Sequence, residues 1–160
     1  MGGSVSGPVS PWAICQSRWI DVRQTVVWAA VGQPKLMSQW WCPPPTVDID
    51  FESRAGGRFE ERYDDGERAY RLSSIVVEFA PPRRFVVERR LISGPARRDR
   101  VAIGLRAVGG GTLVCLRHSF EDLPEISRQA MDTFYAEGWS SSLALLGVAA
   151  ARLATATAGF

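Results

Sequence analysis

The hydrophobic period of this chain changes once, and that change limits what the chain can fold into. Over residues 46–120 apolar and polar residues alternate in short runs broken by turn residues, whereas over residues 123–156 apolar residues recur at i, i+3 and i+4. The first pattern belongs to half-buried strands and the second to one long helix. Antiparallel strands that end in a single helix bury their apolar faces by curling the sheet around it. A strongly curved sheet gripping one helix is expected to leave a cavity between the two.

The turn residues place the elements. Residues 13–21, rich in Ile14, Cys15, Trp19 and Ile20, read as a first strand. Residues 22–31 follow at helical spacing and stop at Gly32, and Pro34 opens a second short helix over 34–41, since a proline lacks only an N–H that the first turn would leave unpaired. Val47, Ile49 and Phe51 then alternate with Asp48, Asp50 and Glu52. Strands are predicted at 46–52, 58–63, 70–79, 84–92, 98–108 and 112–120. They are separated by Gly56-Gly57, Asp64-Asp65-Gly66, Pro81-Pro82, Ser93-Gly94-Pro95 and Gly109-Gly110-Gly111. With the first strand that makes seven. In the last segment Leu123, Ile126, Ala130, Met131, Phe134, Tyr135, Gly138, Trp139, Ser142, Leu143, Leu146, Ala149, Ala150 and Leu153 form one predicted buried stripe, and Gly138 is expected to let the helix approach a strand.

Composition narrows the function classes. The 160 residues fit one domain at 12–156, after a Gly/Ser/Pro-rich lead-in at 1–11 and before a tail at 157–160. The formal charge of +2 and the interleaving of arginines with acids argue against nucleic-acid binding. Cys15, Cys42 and Cys115 are odd in number, far apart and without CxxC spacing, as in a reduced, cytoplasmic protein. One histidine and scattered cysteines supply no converging metal ligands, and no cofactor motif is present. The apolar run 143–151 is interrupted by Arg152 and falls short of the ~20 residues of a membrane span. A soluble protein is expected.

Parity along the strands nominates polar residues for the interior. His118, the lone histidine, alternates with Val114, Leu116 and Phe120, and is expected inside as a hydrogen-bonded core residue; it is also the weak candidate for a catalytic acid–base group. Glu61 falls with Phe59 and Tyr63, and Arg89 with Phe85, Val87 and Leu91. Unpaired burial of either charge costs several kcal/mol, so each needs a partner, and one candidate is the other. Two readings stay open: a polar contact inside an apolar cavity, or a β-bulge that reverses the parity and leaves both in water. Trp28 reads as core, while Trp40 and Trp41, beside the proline-rich loop, read as lining the mouth.

Several landmarks occur in one order: Val27-Trp28, Leu36 and Trp40-Trp41; Arg54-Ala55-Gly56-Gly57-Arg58-Phe59; Pro81-Pro82 with Arg84-Phe85-Val86; Gly111-Thr112 leading to His118-Ser119-Phe120; and Gly138-Trp139. In this the chain resembles the START-like superfamily (SRPBCC or Bet v-like) and, within it, the branch similar to the activator of heat-shock protein 90 ATPase. The resemblance covers residues 12–153. It implies a helix-grip fold, seven antiparallel strands around a C-terminal helix with an apolar cavity, and binding of a lipid, polyketide or other hydrophobic molecule. The expected lining is Val47, Ile49, Phe51, Phe59, Tyr63, Val76, Phe85, Val87, Val101, Ile103, Leu105, Val114, Leu116, His118, Tyr135, Trp139 and Leu143. Trp40 and Trp41 stand at the rim, and His118, Arg89, Glu61 and Tyr63 orient the ligand. Two other functions follow from the same resemblance: stimulation of a chaperone ATPase in a stress response, and a cyclase, dehydratase or hydrolase that uses His118 with Tyr63 or Glu61. Self-association is a further expected partner interaction.

Overall fold

The computed structural model describes residues 12–41, 46–64, 66–67, 69–90 and 98–158. Seven strands form one antiparallel sheet: β1 (Trp12–Ile20), β2 (Thr46–Phe51), β3 (Arg58–Asp64), β4 (Ala69–Ala80), β5 (Arg84–Arg90), β6 (Arg98–Val108) and β7 (Gly111–Glu121). Their order is β1-β7-β6-β5-β4-β3-β2, so β1 and β2, successive in the chain, are the two edges. Helices α1 (Gln24–Gly32) and α2 (Pro34–Met37) connect those edges, and α3 (Glu125–Ala158) packs against α1 and β1. The expected helix-grip α+β fold is the observed one, a curved sheet with its long helix laid on the concave face.

Alternation decides what that face carries. Val114, Leu116, His118 and Phe120 of β7, Asp99, Val101, Ile103 and Leu105 of β6, and Phe85, Val87 and Arg89 of β5 are all buried. An aromatic cluster fills the space beneath α3. Phe51 stacks on Phe59 at 5.6 Å, Phe85 meets Phe51 at 5.2 Å, and Trp41 meets Phe59 at 5.4 Å and Trp139 at 5.1 Å. The tilted and edge-to-face geometries suit ring quadrupoles, and such pairs each contribute about 0.5–1.5 kcal/mol beyond area burial.

Several elements differ from the sequence expectation. The second helix stops at Met37 rather than continuing to residue 41. The N–H groups of Trp40 and Trp41 still bond to the Met37 carbonyl, and this tight turn drives both rings inward. The long helix begins at Glu125, after Asp122 adopts a φ of 56°, and Leu123 joins Ile14 and Phe120 in a small satellite cluster. The predicted stripe on α3 divides. Trp139, Ser142, Leu143, Leu146, Ala149 and Ala150 are buried, while Ile126, Ala130 and Phe134 face water. Residues 126, 130 and 134 follow a helical spacing of their own, about half a turn away from the core-facing set, and the sequence pattern merges the two.

Gly138 does not mediate a close approach, because a Cβ there would meet nothing within 4 Å. Gly111 does: a Cβ would lie 2.5 Å from the Ile20 carbonyl oxygen and from the Trp19 ring. The expected Gly109-Gly110-Gly111 hairpin is present, with φ of 59° and 82° at its first two residues. The loop containing Pro43-Pro44-Pro45, Cys42, the Ser93-Gly94-Pro95 connection, Leu91, Ile92 and the lead-in 1–11 lie outside the described residues, as does the side chain of Val47.

By length and composition α3 is long and apolar enough to cross a membrane, with an 18-residue window of mean hydropathy 1.3, contrary to the shorter apolar run read from the sequence. Its Trp139, Leu143 and Leu146 face is buried in the core, while 28 % of that window as a whole is buried.

Phe85 touches Phe51, Phe59 and Phe79. Phe85→Ala is expected to destabilise the protein by about 3–5 kcal/mol. Val77→Thr, at 40 % exposure, is expected to stay within about 0.5 kcal/mol of wild type. Urea denaturation of both variants checks the contrast.

Candidate functional site

Four ionisable side chains meet on the concave face, in a surround that is otherwise apolar. Glu61 and His118 are 0 % exposed, and Arg89 and Asp99 are 2 % exposed. Register brings them into line. Glu61 pairs with Leu72 across β3 and β4, Arg89 stands opposite Ser74 on β4 and Asp99 on β6, and His118 stands opposite Val101. A β-bulge does interrupt β4, between Val76 and Glu78, but it lies beyond Leu72 and Ser74. The parity of Glu61 and Arg89 is therefore kept, and the water-facing reading is corrected.

Arg89 is held from two sides. Its Nε donates to Asp99 Oδ1 at 2.8 Å and its Nη2 to Asp99 Oδ2 at 2.5 Å, a bidentate fork. Its Nη1 donates to Glu61 Oε1 at 3.2 Å and Oε2 at 3.4 Å. Glu61 Oε1 also accepts from Trp41 Nε1 at 2.5 Å and from the Tyr63 hydroxyl at 2.9 Å. Two carboxylates around one guanidinium meet the requirement that a buried charge be paired and hydrogen-bonded.

His118 has its tautomer fixed by its neighbours. Trp139 Nε1 can only donate, and it lies 3.0 Å from His118 Nδ1, which must therefore be the unprotonated nitrogen. The proton sits on Nε2 and is donated to Asp99 Oδ2 at 2.6 Å. An imidazolium would set its Nδ1–H against the Trp139 N–H. Burial lowers the His118 pKa below its ordinary 6.5, and Arg89 lowers it further, outweighing the hydrogen bond and charge of Asp99. For Asp99, burial pushes upward. The Arg89 charge and the hydrogen bonds from His118 and Arg89 overcome it and hold the carboxyl at about 2.

The predicted site residues separate into groups. Trp41, Glu61, Tyr63, Arg89, His118 and Trp139 come together in this network, and Tyr135 packs edge-on against His118 at 4.5 Å. Phe59, Val76, Phe85, Val87, Val101, Ile103 and Val114 have no surface within reach of a water molecule (0 % exposure); here they are packed core rather than walls of an open cavity, because the aromatic cluster occupies the space. Ile49, Phe51, Leu105, Leu116 and Leu143 belong to the same core. Trp40 is also core and not rim: it is 0 % exposed and its Nε1 donates to the Ala30 carbonyl at 2.9 Å. Trp28 is buried as expected.

Asp99 is absent from the predicted site residues, yet it alternates with Val101, Ile103 and Leu105, the same signal that flags Glu61 and Arg89. Ser74 is the other addition. Its hydroxyl is buried and has no hydrogen-bond partner among the described residues, and it stands between Phe59 and Arg89 in register. Among the described residues no group of three or more His, Cys, Asp or Glu is arranged to hold a metal ion.

The fold has counterparts among known proteins. The family described as Activator of Hsp90 ATPase homolog 1-like protein matches residues 21–151. None of the curated proteins matches the chain. Among solved structures, a protein from Rhodobacter sphaeroides is 22 % identical with a TM-score of 0.74, over 88 % of this chain and 93 % of that one. A protein from Nitrosomonas europaea is 19 % identical with a TM-score of 0.74, over 88 % and 94 %. The di-domain ARO/CYC StfQ from the steffimycin biosynthetic pathway is 11 % identical with a TM-score of 0.70, over 89 % of this chain and 51 % of StfQ. At such identities the likeness is one of fold.

Two outcomes follow from the network. Because the His118 pKa is lowered in the folded state, the unfolded chain takes up a proton first, and stability falls as pH drops below about 6.5. Asp99 adds a second loss of about 2 kcal/mol between pH ~4 and ~2, where the unfolded carboxyl protonates before the folded one. With a single histidine in the chain, His118→Gln should flatten the first limb and keep the second, which Arg89 chiefly sets, though smaller, read from urea midpoints against pH. Arg89→Met leaves two buried carboxylates without their cation and is expected to cost about 3–5 kcal/mol in the same measurement at neutral pH.

Proposed function

This chain belongs to the Activator of Hsp90 ATPase homolog 1-like family, and on that premise we propose that it binds a small, largely hydrophobic molecule between the sheet and α3. The observation that carries this reading is the buried Glu61–Arg89–Asp99–His118 network, each member at most 2 % exposed. Replacing a buried ion pair by apolar residues of similar volume is often neutral or stabilising by about 1–4 kcal/mol, so stability alone is a weak reason to keep one. Ligand sites combine apolar surface with a few fixed polar groups, and the network supplies such groups.

The points of contact are the two ends of the network, where some exposure is retained. Tyr63 and Tyr135 are both half-buried and flank it, Tyr63 through its hydrogen bond to Glu61 and Tyr135 through its ring contact with His118. A ligand that reaches either end meets an aromatic ring, and beside Arg89 in register the Ser74 hydroxyl is a buried polar group with no partner among the described residues. Burial of apolar ligand surface supplies the affinity at ~25 cal/mol per Å². The solved StfQ, an ARO/CYC on the same fold, is consistent with polycyclic or polyketide-like ligands.

Acid–base catalysis by His118 is not part of this reading. Both ring nitrogens are committed, one to Trp139 and one to Asp99, and neither lone pair nor proton is offered to a substrate.

Titration of the purified chain with a panel of polyketides and fatty acids, followed by calorimetry and tryptophan fluorescence, tests the proposal. Binding is expected at one site, with altered emission from Trp41 and Trp139. Tyr63→Phe, which removes one donor from Glu61, is expected to stay folded and weaken binding about tenfold. Failure of the whole panel and of native mass spectrometry on cell extract to give a complex would overturn it. ATPase assays with a chaperone on the same preparation separate the reading from the activity in the family's description.

A further inference from the structure

The outer face of α3 carries more apolar surface than a water-facing helix requires. Four of its large apolar residues are exposed: Ile126 at 92 %, Phe134 at 70 %, Leu145 at 38 % and Val148 at 47 %. They fall on one line. Residues 126, 130, 134, 137, 141, 145, 148 and 152 follow steps of four or three, which keeps them on a single helical face, and all eight are exposed. The face opposes the one that buries Trp139, Leu143 and Leu146. A row of large apolar residues on an exposed helix face is the kind of surface that marks an interaction site.

Only two residues on that line carry charge, Glu137 and Arg152. Neither has an ion pair among the described residues. They lie equally far, about 11 Å along the helix axis, on either side of the point between Ala144 and Leu145. A twofold axis through that point, with two α3 helices antiparallel, sets Glu137 of each chain against Arg152 of the other. The same axis places Leu145 against Ala144 and Val148 against Ser141. Small residues against large ones at the centre, with opposite charges at both ends, make the surface complementary to itself, the condition for an isologous interface.

We infer that the exposed face of α3 from Glu137 to Arg152 is the interface of an antiparallel homodimer centred between Ala144 and Leu145, closed at each end by a Glu137–Arg152 pair, with Phe134 and Ile126 outside it. A membrane surface fits this face less well. Helices that lie on membranes carry Lys and Arg on the polar side, whereas Glu125, Asp132 and Glu137 make the first half of α3 acidic.

Sedimentation equilibrium of the full chain tests the inference. At ~100 μM, where micromolar association is populated, the expected mass is twice the 17.6 kDa of one chain. Leu145→Asp is expected to give monomer throughout, with circular dichroism showing that the fold is kept. Glu137→Arg and Arg152→Glu are each expected to weaken the dimer about tenfold, by turning two attractive pairs into repulsive ones. The double variant Glu137→Arg/Arg152→Glu should recover association close to wild type. A wild-type chain that stays monomeric overturns the inference, and so does a dimer that ignores both single reversals or is not restored by the double one.

Discussion

A guanidinium beneath an apolar helix can persist only if carboxylates reach it, and here they come from opposite sides. Asp99 takes two N–H groups of Arg89 from β6, and Glu61 takes a third from β3. The three residues occupy three strands of the same sheet, with β4 between β3 and β5. Slipping any of these strands by one position would turn its charged member outward and leave the others buried and unpaired. The network therefore fixes the register of the centre of the sheet, which a row of interchangeable valines does less strictly. Trp139 carries the constraint to α3. Its ring packs on Trp41 while its N–H holds His118, so the rotation of the helix is set by an apolar and a polar contact together.

Much of this was legible in the sequence because strand parity is a local property. His118, Glu61 and Arg89 each announce an inward position by alternating with large apolar residues, and register then brings them together. Asp99 obeyed the same rule. What parity cannot supply is which buried acid faces which buried base, since that depends on the bulge in β4 and on where each hairpin turns. Tautomer is still less accessible: the state of His118 follows from a tryptophan on another element, 21 residues away.

The interior also defeats a simple rule. Inward-facing aromatic residues are equally good evidence for a lined cavity and for a filled one, because both need the same alternation. Phe51, Phe59, Phe85, Trp41 and Trp139 choose the filled arrangement around Trp139, by contacts of 5–6 Å that only the three-dimensional packing reveals. Trp40 and Trp41 show how short the decisive distance is. Ending α2 at Met37 redirects two rings that a longer helix would have placed differently.

The two faces of α3 divide the labour of one apolar sequence. Trp139, Leu143 and Leu146 are enclosed, so changes there act on folding through lost packing. Ile126, Phe134, Leu145 and Val148 are exposed on the other side, where the one ring contact is that of Phe134 with Tyr135 at 5.0 Å, and changes there cost less packing. Contributions from separated sites that share no partner add independently. A helix of this kind reads as one broad stripe in sequence because composition is blind to which of two apolar faces the sheet can reach. The sheet covers only one side of a cylinder, so Ile126, Phe134, Leu145 and Val148 on the other side stay exposed in the monomer.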